Sequence, residues 1–365
     1  MNKRIDLKSV IVKTSNEWSV CKDVITKGIV AYESDTNKFK LGNGMEIFVN
    51  LPYIHAETST SETSALVERL RVLENKVLDL SLSSSDKQEA TVSGGQIKVP
   101  TGANDVKVVN QEMTKASSLK ADTIAIKSLK VESTDTSLSK LTLEGSDLTI
   151  SNSSFSGEFS KLNETTQKAT GTNVIQVQVP TTSSSLVLKD TVIDTPLAYN
   201  GLLTNNSNLK SVLIDNVKML GRFDNNAITI SGSEDNSVIT ISNCEFDKIS
   251  NLLRISNISN STGVVINIIN CSINQWEQNE PQWRGMICCQ DYTSEDSNAE
   301  KTNNLFAPEK IKINITNCSL NGKKLTEADK EDLIYVYRSK EAKEGGKGTY
   351  RLSDDETIFP TIRID

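Results

Sequence analysis

Residues 239–246 read ITISNCEF, residues 266–273 read INIINCSI, and residues 313–320 read INITNCSL. The same pattern of alternating apolar residues, then Asn or Asp, then a small residue, occurs in three earlier segments: LTISNSSF (148–155), LVLKDTVI (186–193) and VLIDNVKM (212–219). Recurrence of one pattern along a chain is the sequence signature of an architecture built from stacked repeats. These six segments therefore decide the predicted fold.

The interval of the repeat predicts a parallel β-helix. Aligned on the second apolar position, the segments are 38, 26, 27, 27 and 47 residues apart; the aligned residues are Ile150, Leu188, Ile214, Ile241, Ile268 and Ile315. A step of 26 or 27 residues matches one coil of a parallel β-helix. Alternating β-branched residues argue against helical repeats. At ~4.8 Å per coil, six coils form a rod at least ~25 Å long.

The predicted single-chain β-helix shaft covers residues 101–322. The segments TIAIKSLKV (123–131) and KLTLEG (140–145) extend it on the N-terminal side, and the 47-residue step contains an insertion at 275–308. Residues 81–100 are small and polar and are predicted as a linker. Residues 323–365 contain a short helix or turn and two strands around Gly345 and Gly346, and are predicted as a C-terminal β cap.

The Asn or Asp that follows the alternating apolar residues of each segment predicts a corner of the coil. Asn and Asp tolerate left-handed backbone, and stacked Asn side chains can hydrogen-bond from one coil to the next. The residue after the corner is always small, so we expect three cysteines to stack as buried reduced thiols. Metal binding or redox chemistry by these thiols is the alternative. The predicted structural ladder consists of Asn243, Cys244, Asn270, Cys271, Asn317 and Cys318.

Residues 1–54 are predicted as a small β-hairpin domain. IVAYE (29–33) and KFKLG (38–42) are strands joined by the turn SDTN, and NGMEIFV (43–49) is a tight turn into another strand. Trp18, Gly28, AYESDTNKFKLGNG (31–44) and LPYI (51–54) resemble the N-terminal module of bacteriophage fibres related to the major tropism determinant. In that family the typical run is G-E-x-x-Y-x-x-D-T-x-x-x-K-x-G-D-G followed by L-P-Y, and here Ile29 and Asn43 stand at its Glu and its second Asp. An unrelated β-hairpin domain is the alternative.

The resemblance implies a virion protein whose first domain anchors it to a phage capsid, head auxiliary or tail protein. The residues carried over to this attachment role are Trp18, Tyr32, Asp35, Lys40, Gly42, Gly44 and Pro52. A head position is favoured slightly over a tail position, because the chain is short for a complete tail fibre. The expected localisation is the virion, after synthesis in the bacterial cytoplasm.

Residues 59–80 are predicted as a short parallel coiled coil. Ser59 and Glu62 form a capping-box signature. The helix then carries a heptad seam with spacings of 4, 3, 4 and 3: Leu66, Leu70, Leu73, Val77 and Leu80. A helix of this length is marginal alone in water, so self-association would bury the seam. The resemblance implies a homotrimer, and an amphipathic helix packed on a core is the alternative.

Composition excludes several classes of function. The net charge is −7 with no basic cluster interleaved with aromatics, which argues against a nucleic-acid partner. Six cysteines without a C-x-x-C pair and a single histidine, His55, leave no ligand set for a metal. We expect no cofactor, and no membrane insertion because no run of 18 apolar residues occurs. Phosphate-loop, dinucleotide and hydrolase motifs are also missing from the sequence.

The insertion at 275–308 holds the candidate binding residues. It contains two of the three tryptophans in a polar setting, and loops that leave a rigid scaffold often carry recognition. The candidates for binding a host surface glycan or receptor are Trp276, Trp283, Arg284 and Tyr292. The alternative is that these aromatics fold over the shaft or against a neighbouring chain.

The sequence therefore favours a non-enzymatic, trimeric phage fibre, and two other functions are possible. A tailspike-type polysaccharide depolymerase would need two carboxyl groups ~5–10 Å apart with one shielded, and the acidic candidates are Glu234, Asp235, Glu245 and Asp247. A bacterial β-helix adhesin is disfavoured because no export signal is visible.

Overall fold

Most residues of the chain lie in β-strands and the large sheets are parallel, so the predicted mainly β class is confirmed. In the computed structural model the chain divides into two compact units, Met1–Ser81 and Leu82–Asp365. The structure describes residues 9–27, 29–33, 38–51, 87–133, 136, 140–178, 184–205, 209–232, 234–256, 263–276, 285–291, 310–338 and 349–365.

The first unit contains a three-stranded sheet formed by β1 (Ser9–Lys13), β2 (Ile29–Glu33) and β3 (Lys38–Leu41). β2 and β3 form the expected antiparallel hairpin, and β1 adds to β2 in parallel. The helix α1 (Ser15–Val20) begins with a capping box in which the Thr14 hydroxyl accepts from the amide of Glu17 and the Glu17 carboxylate accepts from the amide of Thr14.

The strand predicted within residues 43–49 is not formed. Phe48–Asn50 is a 3₁₀ helix, and Ile47 makes only an isolated antiparallel bridge to Val24. The physical reason is that the carbonyls of Phe48 and Val49 turn toward the buried Lys40 ammonium, which donates to both. An extended segment would direct these carbonyls to a neighbouring strand instead.

The main sheet of the second unit contains the strands of the predicted repeat. Each strand pairs in parallel with the strand one coil earlier: β4 (Gln88–Glu89), β7 (Asp105–Val109), β10 (Thr123–Lys127), β13 (Asp147–Ser151), β16 (Ser184–Lys189), β18 (Leu209–Asp215), β20 (Val238–Ser242), β22 (Val264–Ile269), β25 (Ile311–Thr316) and β30 (Thr361–Ile364). The observed register joins Ile150, Leu188, Ile214, Ile241, Ile268 and Ile315 in one column. This is the alignment that the sequence predicts, 47-residue step included.

Two further columns of strands complete each coil. The second column contains β8 (Glu112–Met113), β11 (Lys130–Ser133), β14 (Ser154–Gly157), β23 (Ser272–Trp276) and β26 (Ser319–Leu320), and the third contains β9 (Ser117–Lys120), β12 (Leu141–Glu144), β15 (Asn173–Gln178), β24 (Ile287–Asp291) and β28 (Ile334–Arg338). Three long strands bend through the corner and belong to both columns: β17 (Val192–Asn205), β19 (Lys218–Ser231) and β21 (Glu245–Ser256). The three parallel columns give this unit a β-helix-like fold.

The core is a narrow interior lined by the inward residues of all three columns. In the first sheet, Leu186, Val212, Ile239, Ile266 and Ile313 stack in register and are almost fully buried. Burying an aliphatic side chain of this size stabilises the fold by about 1.5–3 kcal/mol. Because each coil repeats these contacts, the strand register is set by the inward column.

The structure corrects two predicted boundaries. Residues 287–291 were assigned to the insertion, but β24 lies between β21 and β28 in the third column, because its alternating Ile287 and Cys289 fill the interior. Part of the predicted linker is also folded: β4 pairs with β7, and β5 (Thr91–Ser93) and β6 (Gln96–Lys98) form a hairpin whose buried Ile97 joins the core. Polar composition alone does not reveal such pairing.

The C-terminal segment continues the coils. β28 and β30 add in parallel to the third and first columns. Among the described residues of this segment, β27 (Lys323–Lys324) and β29 (Thr349–Tyr350) are the antiparallel additions. A 3₁₀ helix at Glu327–Asp329 and the helix α2 (Lys330–Leu333) lie between β27 and β28, and a 3₁₀ helix at Glu356–Ile358 lies between β29 and β30.

Candidate functional site

The corner after each first-sheet strand from β13 to β25 has left-handed backbone. Its φ angle lies between 48° and 55° at Asn152, Asp190, Asn216, Asn243, Asn270 and Asn317. Asn and Asp are among the few residues other than glycine that adopt this conformation readily. Ser128 and Asn110 continue the corner into the two preceding coils.

The corner side chains form a ladder of hydrogen bonds. Asn317 Nδ2 donates to Asn270 Oδ1 at 2.9 Å, Asn270 Nδ2 donates to Asn243 Oδ1 at 3.1 Å, and Asn243 Nδ2 donates to Asp215 Oδ1 at 2.7 Å. One coil earlier, Asn216 Nδ2 donates to Asp190 Oδ1 at 2.6 Å. The ladder therefore shifts by one residue at Asp215, which also accepts from Ser242.

The residue after the corner is a buried donor in five of the six aligned coils. The thiols of Cys244, Cys271 and Cys318 each lie 3.0–3.4 Å from the carbonyl oxygen two residues earlier. The hydroxyls of Ser153 and Thr191 donate to the equivalent carbonyl at 2.8 Å. The thiols thus replace the hydroxyls as hydrogen-bond donors to the carbonyl oxygen at the turn.

Hydrogen bonding within the thiol column, chiefly to Cys244, and burial raise the pKa of Cys271 to about 12. Hydrogen bonding to Cys271 together with burial also raises the pKa of Cys318. The thiolate is the form that attacks electrophiles and binds metals, so these residues are protonated and inert at neutral pH. Within the described ranges no three His, Cys, Asp or Glu side chains are arranged to hold a metal ion.

A second asparagine column lies at the start of the third column of strands and was missed. Asn173, Asn200, Asn226 and Asn251 are in register across four coils. Asn200 Nδ2 donates to Asn173 Oδ1 at 2.7 Å, and Asn226 donates to Asn200 through both its amide and its side chain. The signal was available in the sequence, since these residues are 27, 26 and 25 positions apart.

A long excursion between β14 and β15 is anchored by a buried charge, and this too was missed. Asp224 lies two coils further along; it accepts from the amide of Ala169 at 2.6 Å and pairs with Arg222. Arg222 also donates to the carbonyl of Gln167 at 2.9 Å. These contacts hold residues 161–170, whose side chains are mostly exposed, against the body of the unit.

Two of the residues matched to the phage module, Trp18 and Lys40, lie in the interior of the first unit. Trp18 is buried, stacks on Phe48 with ring centroids 4.4 Å apart, and donates from Nε1 to the carbonyl of Tyr32 at 2.9 Å. Lys40 is buried with Nζ 2.9 Å from the Phe48 carbonyl and 4.4 Å from its ring centroid. Burial lowers the pKa of Lys40, an effect that Glu33 opposes.

The two matched glycines lie at the turn after β3. A Cβ on Gly42 would come 2.3 Å from the carbonyl oxygen of Thr26, so only glycine fits there, and Gly44 has a φ of +80°. Asp35 and Pro52 lie outside the described residues, as does the predicted coiled coil with Leu66, Leu70, Leu73, Val77 and Leu80.

Of the four candidate binding residues, Trp276 is described and Trp283, Arg284 and Tyr292 are not. Trp276 is half-buried against the core, and its Nε1 donates to the carbonyl of Ser250 at 2.8 Å. Its backbone amide donates to Asn321 Oδ1 at 3.1 Å. This side chain therefore packs on the core of the second unit, as in the alternative that the sequence left open.

The acidic candidates lie in two separate segments of the chain. Glu234 and Asp235 lie on the turn before β20, whereas Glu245 and Asp247 lie on β21 after the asparagine corner. A hydrogen bond from Lys218, 3.0 Å away, holds the pKa of Glu245 below its usual range. Asp247 accepts from the amide of Gly221 at 3.2 Å. Glu245, whose ionised form the Lys218 ammonium stabilises, is therefore unsuited to the role of the shielded acid that glycoside hydrolysis needs.

Comparison of the chain with protein-family models, with curated proteins and with solved structures finds no match in any of the three. Across the residues that the structure describes, no helix combines the length and apolar character needed to cross a membrane.

Proposed function

We propose that this protein is a non-enzymatic structural fibre of a bacteriophage virion. In this proposal residues 1–54 attach the chain to a head or tail protein, with the head favoured slightly, and residues 59–80 join three chains in a coiled coil. The β-helix forms the shaft, residues 323–365 cap it, and the C-terminal half presents a surface to host glycans or receptors.

The observation that carries the proposal is the unbroken order of parallel strands in the first sheet. Parallel strands follow one another from β4 to β30, and the asparagine and thiol columns repeat with them. Each coil buries the same narrow set of side chains, so the architecture provides length and stiffness rather than a wide pocket. Stiffness along one axis is what a fibre shaft requires.

The chemistry of the candidate groups supports a structural role. Cys271 and Cys318 are protonated, Glu245 is ion-paired with Lys218, and Trp276 is packed on the core. None of these arrangements favours the depolymerase alternative, in which a shielded carboxylic acid would face an open groove.

The proposal is tested by imaging phage particles whose copy of this chain carries a C-terminal tag. Gold-labelled antibody should decorate projections at a fixed distance from the head or tail, and the purified chain should sediment as a trimer. Unlabelled particles would refute the virion assignment, and release of reducing ends from host capsular polysaccharide would refute the non-enzymatic assignment.

A further inference from the structure

The strand β30 lies at one end of the ten-stranded first sheet. It pairs in parallel with β25, and no other strand of the described ranges pairs with it. In the other two columns the last parallel strands, β26 and β28, are followed by the antiparallel strands β27 and β29. An edge strand presents backbone N–H and C=O groups that can pair with a strand of another chain. The edge of β30 is therefore a place where a second chain could add.

The backbone groups of Ile364 point away from β25. The amide of Asp365 donates to the carbonyl of Ile315 at 2.9 Å, and the carbonyl of Asp365 accepts from the amide of Asn317 at 3.0 Å. Both groups of Asp365 thus face β25. Because neighbouring residues of a strand direct their backbone groups to opposite sides, the N–H and C=O of Ile364 face the edge of the sheet.

A carboxylate occupies this edge position. Glu327 Oε1 accepts from the amide of Ile364 at 2.6 Å, although 37 residues separate the two along the chain. Glu327 begins a 3₁₀ helix that lies between the buried Leu325 and the buried Leu333, so its place is set by the core. The Ile364 N–H and the Lys330 ammonium, which pairs with the carboxylate, hold the pKa of Glu327 below its usual range. The hydrogen bond to Ile364 is therefore charge-assisted at neutral pH.

The strand that fits this edge is β30 of a second copy. Antiparallel pairing centred on Ile364 joins two copies by two hydrogen bonds, because directly opposed residues of such a pair exchange both N–H···O bonds. The same register places Arg363 of each copy opposite Asp365 of the other. These exposed side chains lie on one face of the strand, where they bond to each other at 3.1 Å within one chain. Opposite charges across an antiparallel pair stabilise it, whereas β4, at the other end of the sheet, is two residues long and offers little to pair with.

We propose that Glu327 guards the edge of β30 and prevents the chain from pairing with a second copy through this strand. The single N–H of Ile364 donates either to Glu327 or to a carbonyl of the second copy, so the two arrangements exclude each other. Natural proteins commonly blunt an edge strand with charged side chains or with a segment that covers it. The inference goes beyond the proposed function and does not depend on it, because it concerns the C-terminal end of the β-helix-like unit in any assembly.

The test measures the mass of the full-length chain by sedimentation velocity across a wide range of concentrations. Glu327→Ala should form a species of twice the wild-type mass, with self-association at least tenfold tighter than that of wild type. Glu327→Gln keeps an acceptor oxygen for the Ile364 amide and should sediment as wild type. Glu356→Ala removes an exposed carboxylate from another 3₁₀ helix and is the control for the change in net charge.

The register of the pairing is tested in the Glu327→Ala background. Arg363→Asp places like charges opposite each other and should abolish the doubled mass, and the further change Asp365→Arg should restore it. If circular dichroism shows that Glu327→Ala is less folded, Glu327→Asp, whose carboxylate is one methylene shorter, replaces it. A wild-type mass for the Ala variant, or a doubled mass for the Gln variant as well, would overturn the proposal. A doubled mass that Arg363→Asp leaves unchanged would also overturn it, by showing that the copies meet elsewhere.

Discussion

Asn317 Nδ2 donates to Asn270 Oδ1 at 2.9 Å, although 47 residues separate the two positions along the chain. Both residues have left-handed backbone, with φ angles of 51° and 54°. The coil between them is nearly twice as long as those before it, yet the corner returns to the same place. The extra residues are therefore accommodated outside the corner, and the ladder continues in register.

Asn270→Ala should lower the free energy of unfolding by about 2–3 kcal/mol, because both ladder hydrogen bonds of the side chain are lost and Ala is strained at positive φ. Asn270→Gly is the matched control; it removes the same two hydrogen bonds without the backbone strain and should cost about 1 kcal/mol. Chemical denaturation measures both. Equal stability of the two variants would show that tolerance of left-handed backbone is not the reason that Asn occupies the corner.

Cys271→Val should keep the fold, since Val217 occupies the same position in an earlier coil. The substitution should also reduce the loss of stability at alkaline pH. An unfolded thiol ionises near ~8.5, whereas the pKa of Cys271 in the folded chain is about 12. The contribution of the Cys271 thiol to the free energy of unfolding is complete at pH values below the pKa of the unfolded chain. It falls by up to ~1.4 kcal/mol per pH unit as the pH rises toward the pKa of the folded chain. Denaturation between pH 8 and pH 11 should give a shallower decline for the variant; identical slopes would contradict the buried thiol.

Gly221→Ala should be strongly destabilising. A Cβ there would lie 1.7 Å from the carbonyl oxygen of Thr195, and the φ angle is +92°. Backbone strain and displacement of a neighbouring strand together should cost at least ~3 kcal/mol. Gly171→Ala is the control, since a Cβ there meets nothing within 4 Å. A thermal shift as small as that of the control would mean that β17 and β19 are not adjacent.

Asp224→Ala should free the excursion at 161–170. The substitution removes the acceptor of the Ala169 amide and the partner of Arg222, and leaving a buried donor unsatisfied costs about 1–3 kcal/mol. Trypsin should then cleave after Lys161 and Lys168 roughly tenfold faster, while the coils remain resistant. Mass spectrometry of the early fragments locates the cuts, and an unchanged rate would show that Asp224 does not anchor the excursion.

The corner was predictable because its causes are local. Alternating Ile and Leu, then Asn270 or Asn317, then a small residue, specifies strand, left-handed turn and interior within eight positions. The register followed from the same residues, because a shift by one residue would move Ile268 out of the core.

The elements that were missed depend on partners distant in sequence. Gln88 and Glu89 form a strand only because β7 lies beside them, and Ile287 and Cys289 are strand residues only between β21 and β28. The hydrogen bond from Ala169 to Asp224 joins positions 55 residues apart, and no repeated pattern in the sequence indicates that contact. In the first unit the resemblance identified Trp18 and Lys40 but not their burial, since a matched position does not reveal whether a side chain faces inward.

The stacking of coils in parallel register is the central claim, and spin labels on one outward column test it most directly. Thr240, Asn267 and Asn314 are register partners on β20, β22 and β25. Each is replaced pairwise by Cys and labelled in a Cys21→Ser background. The account predicts strong dipolar broadening for 240 with 267 and for 267 with 314, one coil or ~4.8 Å apart, and weaker broadening for 240 with 314, two coils apart. Absence of broadening between 267 and 314, or stronger broadening between 240 and 314, would contradict it.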